Sequence, residues 1–236
     1  MCSRHPPRSY HSYDHPPPRA PFGDVEKSIL AAAYKHVPDH GFSERALGLG
    51  ARDAGYLDIS PAVFPDGAFS LIRYHLVTRR AGLAAQSRDI LGEQQQDDKQ
   101  RVAANVAALT WARLLENKDV IRRWQEALAI MAQPSYLPES LRELAVLSDE
   151  ICFLAGDQAV DPSWYAKRAA LSMVYSSSEL FMTNDRSPGF IETNRFMQRR
   201  LDESQLLGGA IASIGQFAGF TFSAGLNVLR SKGVPI

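Results

Sequence analysis

The stretch DPSWYAKRAALSMVYSSSELFMTND, Asp161 to Asp185, constrains what this chain can fold into more than any other. Asp161 followed by Pro162 predicts a helix start, with the acid as N-cap and the proline at the first helical position, where its missing N–H costs nothing. At 100° per residue, Ala166, Ala170, Met173, Ser177, Leu180 and Phe181 form one apolar stripe of mostly small side chains. Trp164, Arg168, Leu171, Tyr175 and Met182 fall on the opposite side. A helix lying on a surface needs one such stripe. Two require partners on both sides: a neighbouring helix, a ligand pocket, a second subunit or another protein. The small-residue stripe is expected to make the close helix contact. The Trp164–Tyr165 turn, with Arg168, is expected at the surface as an aromatic-plus-arginine cluster of the kind enriched in interfaces, because burying Arg168 is costly unless it is paired.

The rest of the chain supplies further helices and no strand-like alternation, so the fold class is all-α. Asp24 can cap a first helix, with Ile29, Leu30, Ala33 and Val37 at helical spacing and Pro38 and Gly41 ending it. Ser43 starts a short second helix, and Phe69 to Arg80 a third with Leu71, Ile72, His75 and Leu76 on one side. LGEQQQDDKQ, Leu91 to Gln100, reads as a flexible connection or frayed end. Arg101 to Leu115 follows, and then a segment marked by Val120, Trp124, Leu128 and Met131 before Pro134 stops it. Leu141, Leu144, Ala145, Ser148, Ile151 and Ala155 line one face of the next helix, with Gly156 as its natural C′ residue. Ser187-Pro188 opens a helix from Gly189 to Asp202 by the same device as Asp161-Pro162.

Ends and charges narrow the function. Lysines plus arginines equal aspartates plus glutamates, so no field exists to attract nucleic acid or another polyanion. Two cysteines, Cys2 and Cys152, make no disulfide framework and no zinc-type spacing. Residues 1–23 are proline-rich, with three arginines and a single acid, Asp14. Both a disordered tail and the remnant of a mitochondrial presequence fit that composition. His11, Asp14 and His15 could be drawn as metal ligands, but nothing in such a tail would hold them. No phosphate loop, nucleophile elbow or di-metal pattern is present, His36 and His40 are separated by a helix-breaking Pro38, and Asp149 and Glu150 are adjacent, so they point apart. No reaction centre and no cofactor site is expected.

QLLGGAIASIGQFAGFTFSAGLNVL, Gln205 to Leu229, is uncharged. As a helix starting at Ser204 it would be about 39 Å long, more than the ~30 Å of a bilayer core. Its polar residues argue against spanning. Leu207, Ile211, Ile214, Ala218, Phe222 and Leu229 share one side, while Gln205, Gln216, Ser223 and Asn227 share the other with small residues. That is an amphipathic helix able to lie in a membrane interface or to cover an apolar groove. Leu207, Ile211, Ile214, Phe222 and Leu229 are the expected lipid contacts.

The front end, a helix, a GFS turn, a short helix, then Phe64-Pro65 and a long helix, resembles the helix-turn-helix of tetracycline-repressor-type regulators. The segment in the recognition position, DISPAVFPDG (Asp58 to Gly67), has two prolines, two acids and no Arg, Lys, Asn or Gln. It can read no base edge. A ligand-responsive DNA-binding regulator is therefore the alternative reading rather than the first.

The runs ILAAAYKHVPDHGFSERAL, FPDG, ALAIMAQP and LRELAVLSDEICFLAGDQAVDPSWYAKRAALSMVYSSSELFMTNDRSP together resemble the family of coenzyme Q biosynthesis accessory proteins, the ninth of that series by name. The resemblance covers nearly all of Asp24 to Leu201 and implies a repressor-like helical bundle with a degenerate helix-turn-helix, dimeric and without DNA binding. It divides the chain into a tail at 1–23, a lipid-binding helical domain at 24–202 and a membrane-contacting helix at 203–236. The function it implies is non-catalytic: isoprenoid quinone precursors are taken from the matrix side of the inner mitochondrial membrane and presented to the di-iron demethoxyubiquinone hydroxylase. The partner surface it implies carries over onto Asp149, Ile151, Leu154, Trp164, Tyr165 and Arg168. Pro162 stands where the family usually has an aromatic residue.

Overall fold

The computed structural model describes residues 22–56, 64–92, 99–157 and 164–206. All regular structure among them is helical, as the sequence requires. The first helix, α1 (Asp24–Tyr34), begins with a capping box in which the Gly23 N–H donates to Glu26 Oε2 at 3.2 Å. It stops three residues earlier than the spacing to Val37 suggests. Pro38 has no N–H to give and its ring would collide with the Tyr34 carbonyl, so the chain breaks and restarts as the single turn α2 (Val37–His40), with the proline in the first turn. That restart brings His36 and His40 back to helical spacing, with the His40 N–H donating to the His36 carbonyl at 2.9 Å, contrary to expectation. His36 is spoken for, since its Nε2 lies 2.6 Å from Asp53.

Ser43 caps α3 (Glu44–Asp53) by accepting from the Ala46 N–H. Here α1 and α3 pack so closely that a Cβ on Gly50 would collide with the Ala33 backbone. Then α4 (Ala68–Leu91) runs well past Arg80, because nothing in AGLAAQSRDIL breaks a helix before Gly92 adopts a left-handed φ of 65°. Next come α5 (Lys99–Leu115), a 3₁₀ turn (Lys118–Val120), α6 (Ile121–Met131) and α7 (Leu137–Leu154). At the end of α7, the Asp157 N–H reaches the Cys152 carbonyl and the Gly156 N–H that of Phe153, with Gly156 at φ 92°: a Schellman closure where Gly156 was expected to provide one. After α8 (Trp164–Met182) and a 3₁₀ turn (Pro188–Phe190), α9 (Ile191–Leu206) completes the described residues.

Two apolar clusters make the core. The first gathers Ile29, Leu30, Val37, Phe42, Leu47, Phe69, Ile72 and Trp124 from α1–α4 and α6. The second gathers Leu83, Leu109, Leu114, Leu147, Ile151, Leu171, Tyr175, Met182 and Met197 from α4, α5 and α7–α9. Among the described residues only α4 places fully buried apolar side chains in both.

The expected faces of two helices are corrected. On α8 the buried residues are Arg168, Leu171, Val174, Tyr175, Ser178, Glu179 and Met182, while Leu180 and Phe181 are exposed. The large-residue stripe is the core, because its polar groups are met there: Arg168 by the Asp149 carboxylate, and Glu179 by the Asn117 amide and the Tyr175 hydroxyl. On α7 the buried face is Leu147, Ser148, Ile151 and Cys152, and both Leu141 and Ala145 face outward. Residues 207–236, with Leu207, Ile211, Ile214, Phe222 and Leu229, lie outside the described residues, as do 1–21, most of the Asp58–Gly67 segment and Pro162. Among the described residues no helix is long and apolar enough to cross a membrane.

Candidate functional site

The second half of α7 and the first turn of α8 bring the expected partner residues together. These helices pack side by side, and their crossing is pinned by a 2.8 Å hydrogen bond between the hydroxyls of Ser148 and Ser172. One turn nearer the start of α8, Arg168 Nε donates to Asp149 Oδ1 at 2.5 Å across the same gap. The Arg168 guanidinium lies 3.8 Å from the centroid of the Trp164 ring, and its Nη1 donates to the Trp164 carbonyl at 3.4 Å. A cation held flat against an indole is attracted by the ring's electron-rich face. Trp164 in turn meets Tyr165 edge-on, with ring centroids 4.6 Å apart and planes at 79°.

The result is a layered site. Tyr165 is 78% exposed, the most exposed of the large apolar side chains among the described residues, and Trp164 beside it is half-buried. Arg168 is only 6% exposed and Ile151 is fully buried, so both support the surface from beneath rather than form it. Asp149 and Leu154 are half-buried at its edge. Lys167 completes the rim, its ammonium 3.4 Å from Asp157 on the Schellman closure of α7. The sequence reading placed Trp164 and Tyr165 at the surface and the structure does the same. Arg168 it placed outside, missing that Asp149, nineteen positions earlier in the chain, is the countercharge.

This site has the chemistry of a binding surface. Cys152 lies behind it at 3% exposure, and burial pushes its thiol up to about 11, against the pull of Arg168, so it is no nucleophile near neutral pH. The acid–base residues with marked shifts, His75 and Glu179, are sealed in the interior away from it. Leu141, 55% exposed on α7, adds an apolar side chain to that helix's outer face, although its spacing had grouped it on one face with Ile151. A second exposed apolar area lies on α8 and α9, where Phe181 stacks on Phe196 at 4.7 Å beside Leu180, with Ile191 also exposed at the start of α9.

Known proteins resemble this chain over most of its length. The family model described as COQ9 matches residues 137–208, which contain the whole of the site. A protein of Schizosaccharomyces pombe named "Ubiquinone biosynthesis protein coq9, mitochondrial" is 36% identical over 227 residues, 96% of this chain and 88% of that protein. A protein of Eremothecium gossypii with the corresponding name is 32% identical over 220 residues, 87% of this chain and 85% of its own. The Drosophila melanogaster protein is 33% identical over 183 residues, and there the match spans 76% of this chain but 55% of the relative.

Proposed function

Because the chain belongs to the COQ9 family of ubiquinone biosynthesis proteins, whose relatives are named as mitochondrial, we propose that it is a non-catalytic, lipid-binding accessory protein of that pathway. In this reading it takes isoprenoid quinone precursors from the matrix face of the inner mitochondrial membrane and presents them to the di-iron demethoxyubiquinone hydroxylase. The physical need is plain. Each buried CH₂ of a polyprenyl tail is worth about 0.8 kcal/mol, so such a substrate does not leave a bilayer unaided. Residues 207–236, in which Leu207, Ile211, Ile214, Phe222 and Leu229 recur at helical spacing, supply the membrane contact.

The observation that carries the reading is the exposed Tyr165 held against Trp164, itself fixed by the Arg168–Asp149 pair. A protein does not spend rigid support on an aromatic pair left in water. Aromatic and arginine side chains in such an arrangement dominate interface energetics. The hydroxylase docks there, with Asp149 and Leu154 at the rim and Ile151 and Arg168 as the support. The exposed Leu180, Phe181 and Ile191 on α8 and α9 are assigned to a second copy of the chain, making a homodimer. The DNA-binding regulator is disfavoured, since Asp58 to Gly67 offers the major groove two acids and no Arg, Lys, Asn or Gln.

The test is a pull-down of the purified hydroxylase by wild-type protein, Trp164→Lys and Tyr165→Ala. Both variants are expected to keep the wild-type far-ultraviolet dichroism and to lose at least tenfold in hydroxylase capture. Undiminished capture by both would show that the partner docks elsewhere.

A further inference from the structure

Between the two apolar clusters runs a line of polar side chains at positions that helical spacing assigns to the core. His75 on α4 is fully buried, as are Arg113 on α5 and Asn117 just beyond it, and Glu179 on α8 is 5% exposed. Tyr34 on α1 lies at the edge of the first cluster with its hydroxyl 2.7 Å from His75 Nδ1. On the other side of the ring, His75 Nε2 is 2.8 Å from Asn117 Oδ1, which also accepts from Arg113 Nη1 at 3.0 Å. The Asn117 amide then donates to Glu179 Oε1 at 2.8 Å.

These contacts fix the proton positions. The Asn117 oxygen can only accept, so His75 Nε2 carries the hydrogen and Nδ1 accepts from the Tyr34 hydroxyl. Every hydrogen bond in the line therefore points the same way, from Tyr34 through a neutral imidazole and an amide to the Glu179 carboxyl oxygen, with the Arg113 charge nearby. The line begins on the N-terminal helices and ends on the last helical layer, so it joins the two halves of the molecule.

We propose that this line is a neutral-histidine latch: α1–α3 stay docked on the rest of the molecule only while His75 is unprotonated, and a proton on Nδ1 releases them as a unit. That proton would make Tyr34 an acceptor and set an imidazolium in a closed site beside Arg113 and Arg79, the latter already paired with Glu116. Among the described residues, the charged and titratable groups around the ring are Tyr34 from α1, Arg79 from the next turn of α4 with its partner Glu116, Asp119 acting on Tyr34 and Arg79, Arg113 from α5, and Glu179 from α8 beyond Asn117, while α6 brings the Trp124 ring to 4.6 Å. Burial, then Arg113 and Arg79, hold the imidazole well below its usual range, and the Asn117 bond does not offset them. The joint is also poorly satisfied, because Arg113 Nε and Nη2 are buried with no hydrogen-bond partner among the described residues. Asn117 is locked from three directions, whereas Tyr34 is half-buried at the margin. Water therefore reaches the ring most easily by moving α1.

The sign follows from linkage. A histidine held neutral in the folded form, with an ordinary value near 6.5 when released, stabilises docking above that pH and loses its contribution as the pH falls below it. One proton taken up on opening raises the opening constant by about tenfold per pH unit in that window. Glu179 works in the other direction, since burial pushes its carboxyl up against Arg113 and its hydrogen-bond donors, and it is present in both wild type and a His75 variant.

Hydrogen exchange read by mass spectrometry on the full chain, from pH 7.5 to 5.5, tests the latch. Protection factors, corrected for the intrinsic exchange rate, are expected to fall by up to about tenfold per pH unit below 6.5 in residues 24–53. They should stay constant in 164–201. His75→Gln should remove the fall in 24–53. A flat wild-type profile, an equal fall in both regions, or an unchanged fall in His75→Gln would each overturn the proposal. Should the variant not fold, the regional comparison within the wild type decides alone.

Discussion

Arg168 holds a full positive charge at 6% exposure, and Asp149 makes that position tolerable. Removing one member of such a pair leaves the other desolvated without compensation, which costs more than the pair contributes when intact. Asp149 keeps 30% of its side-chain surface in water, so screening discounts the figure. Asp149→Ala is expected to lower unfolding stability by about 2 kcal/mol. The double variant Asp149→Ala/Arg168→Met should recover most of that, because it leaves no orphaned charge. Urea unfolding of the two variants checks it, and a double variant no more stable than the single one would mean that the pair is not the coupled unit. Single residues were legible where chemistry was local. Trp164 and Tyr165 sit in the first turn of one helix, where an aromatic-plus-arginine cluster was expected at the surface: Tyr165 is exposed and Trp164 half-buried. The pairing of Asn117 with Glu179 spans 62 positions, and no local pattern reveals it. A polar residue at a core position signals only that some partner exists.

The corner between α8 and α9 shows how an element boundary is set. Ser187-Pro188 predicts a helix start, and the Ser187 hydroxyl does accept the Glu192 N–H at 3.1 Å. The stronger cap is Asp185, whose carboxylate accepts from the backbone N–H of Ser187 at 2.7 Å and from both the N–H and the hydroxyl of Thr193 at 2.8 and 2.6 Å. Slight burial works against ionisation there, but these bonds outweigh it and hold the carboxyl at about 2. The folded value lies below the unfolded 3.8, so the stabilisation is complete above that pH and is lost as the pH falls from 3.8 towards 2. Asp185→Ala is expected to cost about 1 kcal/mol at pH 7, the usual worth of an N-terminal cap. Its deficit relative to wild type should vanish by pH 2, measured by denaturant midpoints across that range. An equal deficit at both ends would assign the loss to packing instead. The existence of these helices was readable from caps and prolines, but the buried face of α8 was not. Hydrophobic spacing counts Arg168 and Glu179 as surface, and only knowledge of Asp149 and Asn117 reverses that count.

At the scale of the whole molecule, the chain pairs a helical body with a C-terminal stretch whose composition suits an interface. If residues 207–236 serve the lipid, native mass spectrometry of the purified full chain should show a bound isoprenoid or other long-chain lipid. Deleting 207–236, which leaves α9 intact, should abolish it. Lipid-free full-length protein, or lipid retained by the truncated form, would remove the carrier role from that stretch. The all-α class was legible throughout, since helical periodicity is local. The division into two cores was not, because it depends on which distant helices meet. Their arrangement has a consequence for how such a chain can change length. With fully buried apolar residues in both clusters, α4 fixes the angular phase of one core against the other. One residue inserted between His75 and Leu83 would turn everything beyond it by about 100° and carry Leu83 out of its cluster, whereas seven inserted residues would return it to within about 20°. Loops can lengthen freely in this architecture, but α4 behaves as a camshaft, whose two lobes keep their timing only through a fixed count of turns.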